Sequence, residues 1–204
     1  DLVRSRGLGD VYKRQDMHTG DLDAADAWYR EKAPCEPTHL NVMRRYRYLT
    51  QAMVEIMQNR PDAALLTLSP MEPYIQNCAR IIDGIHLNVL TAIALYRKKD
   101  ERWRERLTAA LDAAVEYRFI RTVSVYGTAV LPLLEALDWD GNKAWRKRLM
   151  AAVRTQAAFY PHFLEPSLAP GEELTPTELQ ILHLLCADKS NAAVSYTHLT
   201  LPRI

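Results

Sequence analysis

Gln58-Asn59-Arg60-Pro61-Asp62-Ala63-Ala64-Leu65-Leu66-Thr67 is a polar turn that leads into Asp-Ala-Ala and then an apolar helical run. The same order of parts stands earlier, in Thr19-Gly20-Asp21-Leu22-Asp23-Ala24-Ala25-Asp26-Ala27-Trp28. It returns more loosely in Lys98-Lys99-Asp100-Glu101-Arg102-Trp103, ahead of Leu107-Thr108-Ala109-Ala110-Leu111. A period of about 40 residues falls in the range of helical-hairpin repeats. Between the turns lie longer amphipathic stretches, His39 to Gln58 and Arg80 to Arg97. Ala52 and Ile56, and then Ala92, Leu95 and Tyr96, alternate small and large apolar side chains as close helix pairing requires. At least three helix pairs stacked as a solenoid are expected, closing with a helix from Gly141 to about Phe159.

Composition agrees with an all-α chain. Only 7 of 204 residues are glycine, and alanine, leucine and arginine, all good helix formers, are abundant. The formal net charge of +1 makes the whole chain no electrostatic magnet for nucleic acid, so DNA binding would need a local basic face. The least charged run, Thr122 to Leu134, is short and interrupted by Gly127 and Pro132, so no membrane span is expected. Three widely spaced cysteines, Cys35, Cys78 and Cys186, suit a reducing compartment, and the expected location is the cytoplasm.

After the repeats, Tyr160 to Glu173 carries Pro161, Pro166, Pro170 and Gly171. That density of helix breakers reads as a linker. Beyond it stands Leu174-Thr175-Pro176-Thr177-Glu178-Leu179-Gln180-Ile181-Leu182-His183-Leu184-Leu185-Cys186-Ala187-Asp188-Lys189-Ser190-Asn191. Thr175 suits an N-cap, Pro176 the first helical position, and Glu178 the reciprocal position of a capping box. Leu179, Leu182 and Leu185 then recur at helical spacing, and Ser190 offers a second N-cap after a short break. Two short helices joined by a tight turn open a helix-turn-helix.

This spelling resembles the start of the LuxR-type DNA-binding domain of bacterial transcriptional regulators. The resemblance runs from Leu174 to about Val194. It implies that Thr175, Pro176 and Glu178 position the first helix, and that Ser190 and Asn191 start a second that braces the duplex backbone. Ala192 and Ala193 stand where the family usually carries lysine and glutamate. Ser195 to Ile204 lacks the several polar or basic side chains that a base-reading helix presents. A helical array ahead of such a motif is similar to the C-terminal half of MalT-like regulators, and the array itself resembles tetratricopeptide repeats. Glu116-Tyr117-Arg118-Phe119-Ile120-Arg121 and Val130-Leu131-Pro132-Leu133-Leu134 fit that family, with Arg118 in place of its usual glycine. The ATP-binding module that precedes the repeats in such regulators has no counterpart here, for the chain holds no Walker-type phosphate loop. Both ends resemble translated sequencing adapter: residues 1–15, ending in Val11-Tyr12-Lys13-Arg14-Gln15, and residues 195–204.

No set of residues suggests catalysis, a metal or a cofactor. The six histidines lack partners at ligand spacing, and Glu172-Glu173 are adjacent linker residues that do not converge. Arg44, Arg45 and Arg47 interleave with Tyr46 and Tyr48. Such a pattern lines a ligand groove or binds nucleic acid, or else the tyrosines fill space between helices and the arginines face solvent. Arg44, Arg45, Tyr46 and Tyr48 are kept as the candidate effector or partner surface. Arg102, Trp103, Arg104 and Arg106 invite the same two readings. Trp145-Arg146-Lys147-Arg148 puts basic charge near a helix start, against the dipole, as though to meet an acidic partner or a neighbouring helix.

The expected organisation is a non-native tail (1–15), a helical-repeat effector domain (16–160), a linker (161–173), a truncated LuxR-type helix-turn-helix (174–194) and a second tail (195–204). The expected protein is a fragment of a cytoplasmic transcriptional regulator and not an enzyme. Its expected partners are DNA in the intact protein, a small-molecule or protein effector on the repeats, and a second copy in a homodimer. The alternative is a tetratricopeptide-like interaction scaffold that does not bind DNA.

Overall fold

The computed structural model describes residues 22–32 and 45–164, all within the first of the two units, residues 1–167, into which the chain divides. Every regular element among them is α-helical, and the fold class is all-α. The order is α1 (Leu22–Lys32), α2 (Arg45–Met57), α3 (Pro61–Leu68), α4 (Met71–Cys78), α5 (Ile81–Arg97), α6 (Trp103–Glu116), α7 (Arg121–Ser124), α8 (Gly127–Ala136) and α9 (Lys143–Phe159). None of these helices is long and apolar enough to cross a membrane.

Sequence-adjacent helices pair most closely, α2 with α3, α5 with α6, and α8 with α9. The centre is α5, which touches α2, α3 and α4 on the side of the earlier chain and α6, α7 and α8 on the other. Ile85, Val89, Leu90, Ala92, Ile93 and Ala94 of this helix are all buried. Its burial on several faces explains why its apolar residues follow no single narrow stripe. Ala52 and Ile56 of α2, Leu107, Ala110 and Leu111 of α6, and Leu149 and Val153 of α9 complete the core. Tyr96 is the exception among the expected packing residues. It is 36% exposed and meets Trp103 edge to face, with ring centroids 5.3 Å apart.

The repeated turns share one backbone device. After α2, Asn59 adopts φ 54°, its N–H bonds Ile56 O at 3.1 Å, and the Arg60 N–H bonds Glu55 O at 2.8 Å. After α5, Lys99 adopts φ 58°, with Lys99 N–H to Tyr96 O at 2.9 Å and Asp100 N–H to Leu95 O at 3.0 Å. After α6, Arg118 repeats the pattern at φ 59°, with bonds to Val115 O at 3.2 Å and from Phe119 N–H to Ala114 O at 2.8 Å. Each is a Schellman cap, in which a left-handed residue turns the chain and satisfies two terminal carbonyls. The same cap thus closes α2, α5 and α6, and two of its three occurrences, Asn59 and Lys99, fall in the polar turns singled out in the sequence.

The helices also explain the sequence punctuation. Pro61 opens α3, where a missing N–H costs nothing. Asn142 caps α9 by accepting the Trp145 N–H at 2.9 Å. Pro132 lies inside α8 and has no N–H for the Thr128 carbonyl one turn back. Gly127, at φ +37°, lets α8 approach α9 closely, since a Cβ there would stand 3.2 Å from Ala157 N and from Gln156 Cγ. The stretch expected to begin the linker starts as a packed turn, with Phe163 and Leu164 buried. Two large apolar side chains in succession outweigh the local proline signal.

Candidate functional site

The four residues of the expected effector surface part company. Arg44 lies outside the described residues. Tyr48 faces inward and is buried with Leu49 in the core, so it lines no surface. From Tyr48 to Met57 every residue of α2 is buried, so the helix enters the core just after its first turn. Tyr46 is 44% exposed, and the Arg45 guanidinium lies over its ring at 4.6 Å. Arg45 Nε also stands 3.1 Å from Asp83 Oδ2. The same carboxylate oxygen accepts from Arg80 Nε at 2.5 Å and is itself buried. Two cations thus hold one buried anion in the first turn of α5, where the helix dipole also favours negative charge. Hydrogen bonding and charge from Asp83 raise the proton affinity of Arg80. The role visible for Arg45 is to fasten α2 to α5.

Most arginines of the other basic runs are likewise engaged within the unit, whereas Lys147 and Arg148 face solvent. Arg102 forks onto Asp100, with Nη2 to Oδ2 at 2.6 Å, and these bonds hold the Asp100 carboxyl down to about 2. Arg104 pairs with Glu101 at 2.8 Å and lies over the buried Trp103 ring at 4.4 Å. Arg106 reaches Glu72 at 2.5 Å, and Arg154 reaches Glu135 at 3.2 Å. Arg146 resolves the charge near the start of α9. Its guanidinium donates to Trp139 O at 2.9 Å, Leu134 O at 3.1 Å and Leu137 O at 2.8 Å. The cation opposes the dipole of its own helix but meets the negative end of α8.

Two features were not legible in the sequence. The first is a buried polar knot between α1, α2 and α3. Glu55 Oε1 accepts from Tyr29 OH at 2.9 Å and Gln51 Nε2 at 3.0 Å, and its Oε2 accepts from Thr67 Oγ1 at 2.8 Å. Burial, then the Glu55 contact, raises the Tyr29 phenol above its usual value. Three donors from α1, α2 and α3 meet on one carboxylate, and the knot ties these helices together.

The second is a cavity of about 190 Å³ between α5, α8 and the turn after α9. Ile93, Tyr96 and Arg97 line one wall, Thr128, Ala129 and Pro132 another, and Phe163 and Leu164 the third. Arg97 donates to the carbonyls of Ile56 and Leu164. Among the described residues no carboxylate pairs with it, and burial pushes its pKa down to about 10, which leaves it cationic at neutral pH. The signal in the sequence was faint: a lone arginine ending an apolar helix, and a proline inside another.

Thr175, Pro176, Glu178, Ser190 and Asn191 lie outside the described residues. No group of three or more His, Cys, Asp or Glu side chains able to hold a metal ion occurs among the described ones. The chain matches no protein-family model, and neither a curated protein nor a solved structure is significantly similar to it.

Proposed function

We propose that the chain is part of a bacterial transcriptional regulator of the MalT-like type. A tetratricopeptide-like helical unit receives an effector or partner, and a LuxR-type helix-turn-helix starting at Leu174 contacts DNA in the intact, cytoplasmic protein. The observation that carries this reading is the run from Leu174 to Asn191, with its complete helix start and second cap. Helix pairs that recur with shared Schellman turns support a repeat array ahead of it. Charge supports the division of labour. Arg45, Arg80, Arg102, Arg104, Arg106 and Arg154 are engaged by carboxylates of the helical unit, which favours assigning DNA contact to the segment that begins at Leu174.

The test has two steps. The source locus is sequenced through both ends of the frame, and the extended product is titrated against promoter DNA in a mobility-shift assay. A basic helix after Val194 with sequence-specific binding supports the regulator. The 204-residue chain is expected to bind DNA weakly or not at all, because residues 195–204 offer Arg203 as their single Lys or Arg for base contacts. An extended product that never binds DNA favours the scaffold reading.

A further inference from the structure

We propose that the cavity between α5 and α8 is a binding site for a small carboxylate with an apolar body, recognised by Arg97. Arg146 provides the contrast. It is satisfied by three carbonyls, whereas Arg97 is given two and borders a cavity. A guanidinium carries five N–H donors, so three remain on Arg97 after its bonds to Ile56 O and Leu164 O. A cation partly withdrawn from water with no carboxylate beside it is incompletely compensated, and a ligand carboxylate supplies charge-assisted bonds to it. The remaining walls are mostly apolar, with Ile93, Ala129, Pro132 and Leu164 facing the space. They select a ligand with a hydrocarbon body and a single charged end.

Size narrows the class further. An apolar cavity of about 150 Å³ accepts benzene, so 190 Å³ suits a short-chain fatty acid or an aromatic acid. The site goes beyond the regulator reading. It gives the effector a chemical class if that reading holds, and it stands without DNA if that reading fails.

The test is calorimetric titration of the full 204-residue chain at neutral pH with hexanoate and with 1-hexanol, in the absence of DNA. Hexanoate is expected to bind at least about tenfold more tightly than hexanol, the difference that a charge-assisted hydrogen bond supplies. Arg97→Gln is expected to bring hexanoate down to the level of hexanol. Ala129→Leu, which keeps Arg97 and obstructs the space, is expected to abolish binding of both. Because Arg97→Gln also frees two carbonyls, its fold is checked by circular dichroism. If it does not fold, Ala129→Leu with the hexanol comparison decides. Equal affinity for the two probes, unchanged binding by Ala129→Leu, or no heat at about 10 mM hexanoate (weaker than millimolar affinity) overturns the assignment.

Discussion

Arg146 donates to the carbonyl of Leu137 at 2.8 Å, and so a residue of the last described helix holds the end of the helix before it. Its further bonds to Leu134 O and Trp139 O leave the α8–α9 connection with one shared donor. Arg146→Ala is expected to destabilise the protein by about 1–3 kcal/mol, because the buried carbonyls lose their partner. Arg146→Lys restores only part, since an ammonium cannot reproduce the planar fork. Urea denaturation of the three proteins checks this, and equal midpoints would show that Arg146 does not hold this connection.

Arg118 sits at φ 59° in the cap of α6, where an L side chain crowds its own backbone. Arg118→Gly is expected to stabilise the protein by about 1 kcal/mol, because glycine adopts the left-handed conformation without steric cost. Thermal denaturation reads the effect as a rise in Tm. A fall instead would mean that the Arg118 side chain supplies contacts that outweigh the backbone strain.

Gly127 is the converse case. Its φ is +37°, and a Cβ added there would lie 3.2–3.3 Å from backbone and side-chain atoms of Gln156 and Ala157. Gly127→Ala therefore meets both strain and crowding. A loss of about 1–3 kcal/mol is expected, measured by urea denaturation. No loss would show that α8 and α9 can separate cheaply.

Glu55 gathers Tyr29, Gln51 and Thr67, and Glu55→Ala leaves three donors without their acceptor. A cost of about 2–4 kcal/mol is expected. Tyr29→Phe removes one bond and is expected to cost about 1 kcal/mol. A double-mutant cycle between positions 29 and 55 measures their coupling, and additive effects would disprove a shared network.

Stability at the two ends of the pH range should follow Tyr29 and Asp100. The folded-state pKa of Tyr29 is raised above 10.0, so its contribution is complete below pH 10 and lost as pH climbs through the folded value. Asp100 is depressed from 3.8 to about 2. Its contribution is complete above pH 3.8 and lost as pH falls towards 2. Asp100→Asn should flatten the acid limb of a stability–pH profile, and Tyr29→Phe the alkaline limb. Unchanged limbs would show that neither group is linked to folding.

The sequence by itself determined the helical class, the places of the turns and the extents of α5 and α9 to within a residue or two. These depend on local physics: the periodicity of Arg80 to Arg97, the polar breaks at Asn59 and Lys99, and the cap at Asn142. It also carried the motif from Leu174 to Asn191, on which the proposed function rests. Only the tertiary structure decided which side chains of one helix act together. Tyr48 lies two residues from Tyr46 yet belongs to the core, because neighbouring helices cover α2 from Tyr48 onward and leave its first turn open. Arg146 meets carbonyls rather than an acidic partner, and Arg97 borders a cavity, because distant segments converge there. Glu55 is held by residues from three helices, and no local pattern records that meeting. Helix formation is a near-neighbour property of the chain, whereas burial, charge pairing and cavities arise from contacts between residues far apart in sequence.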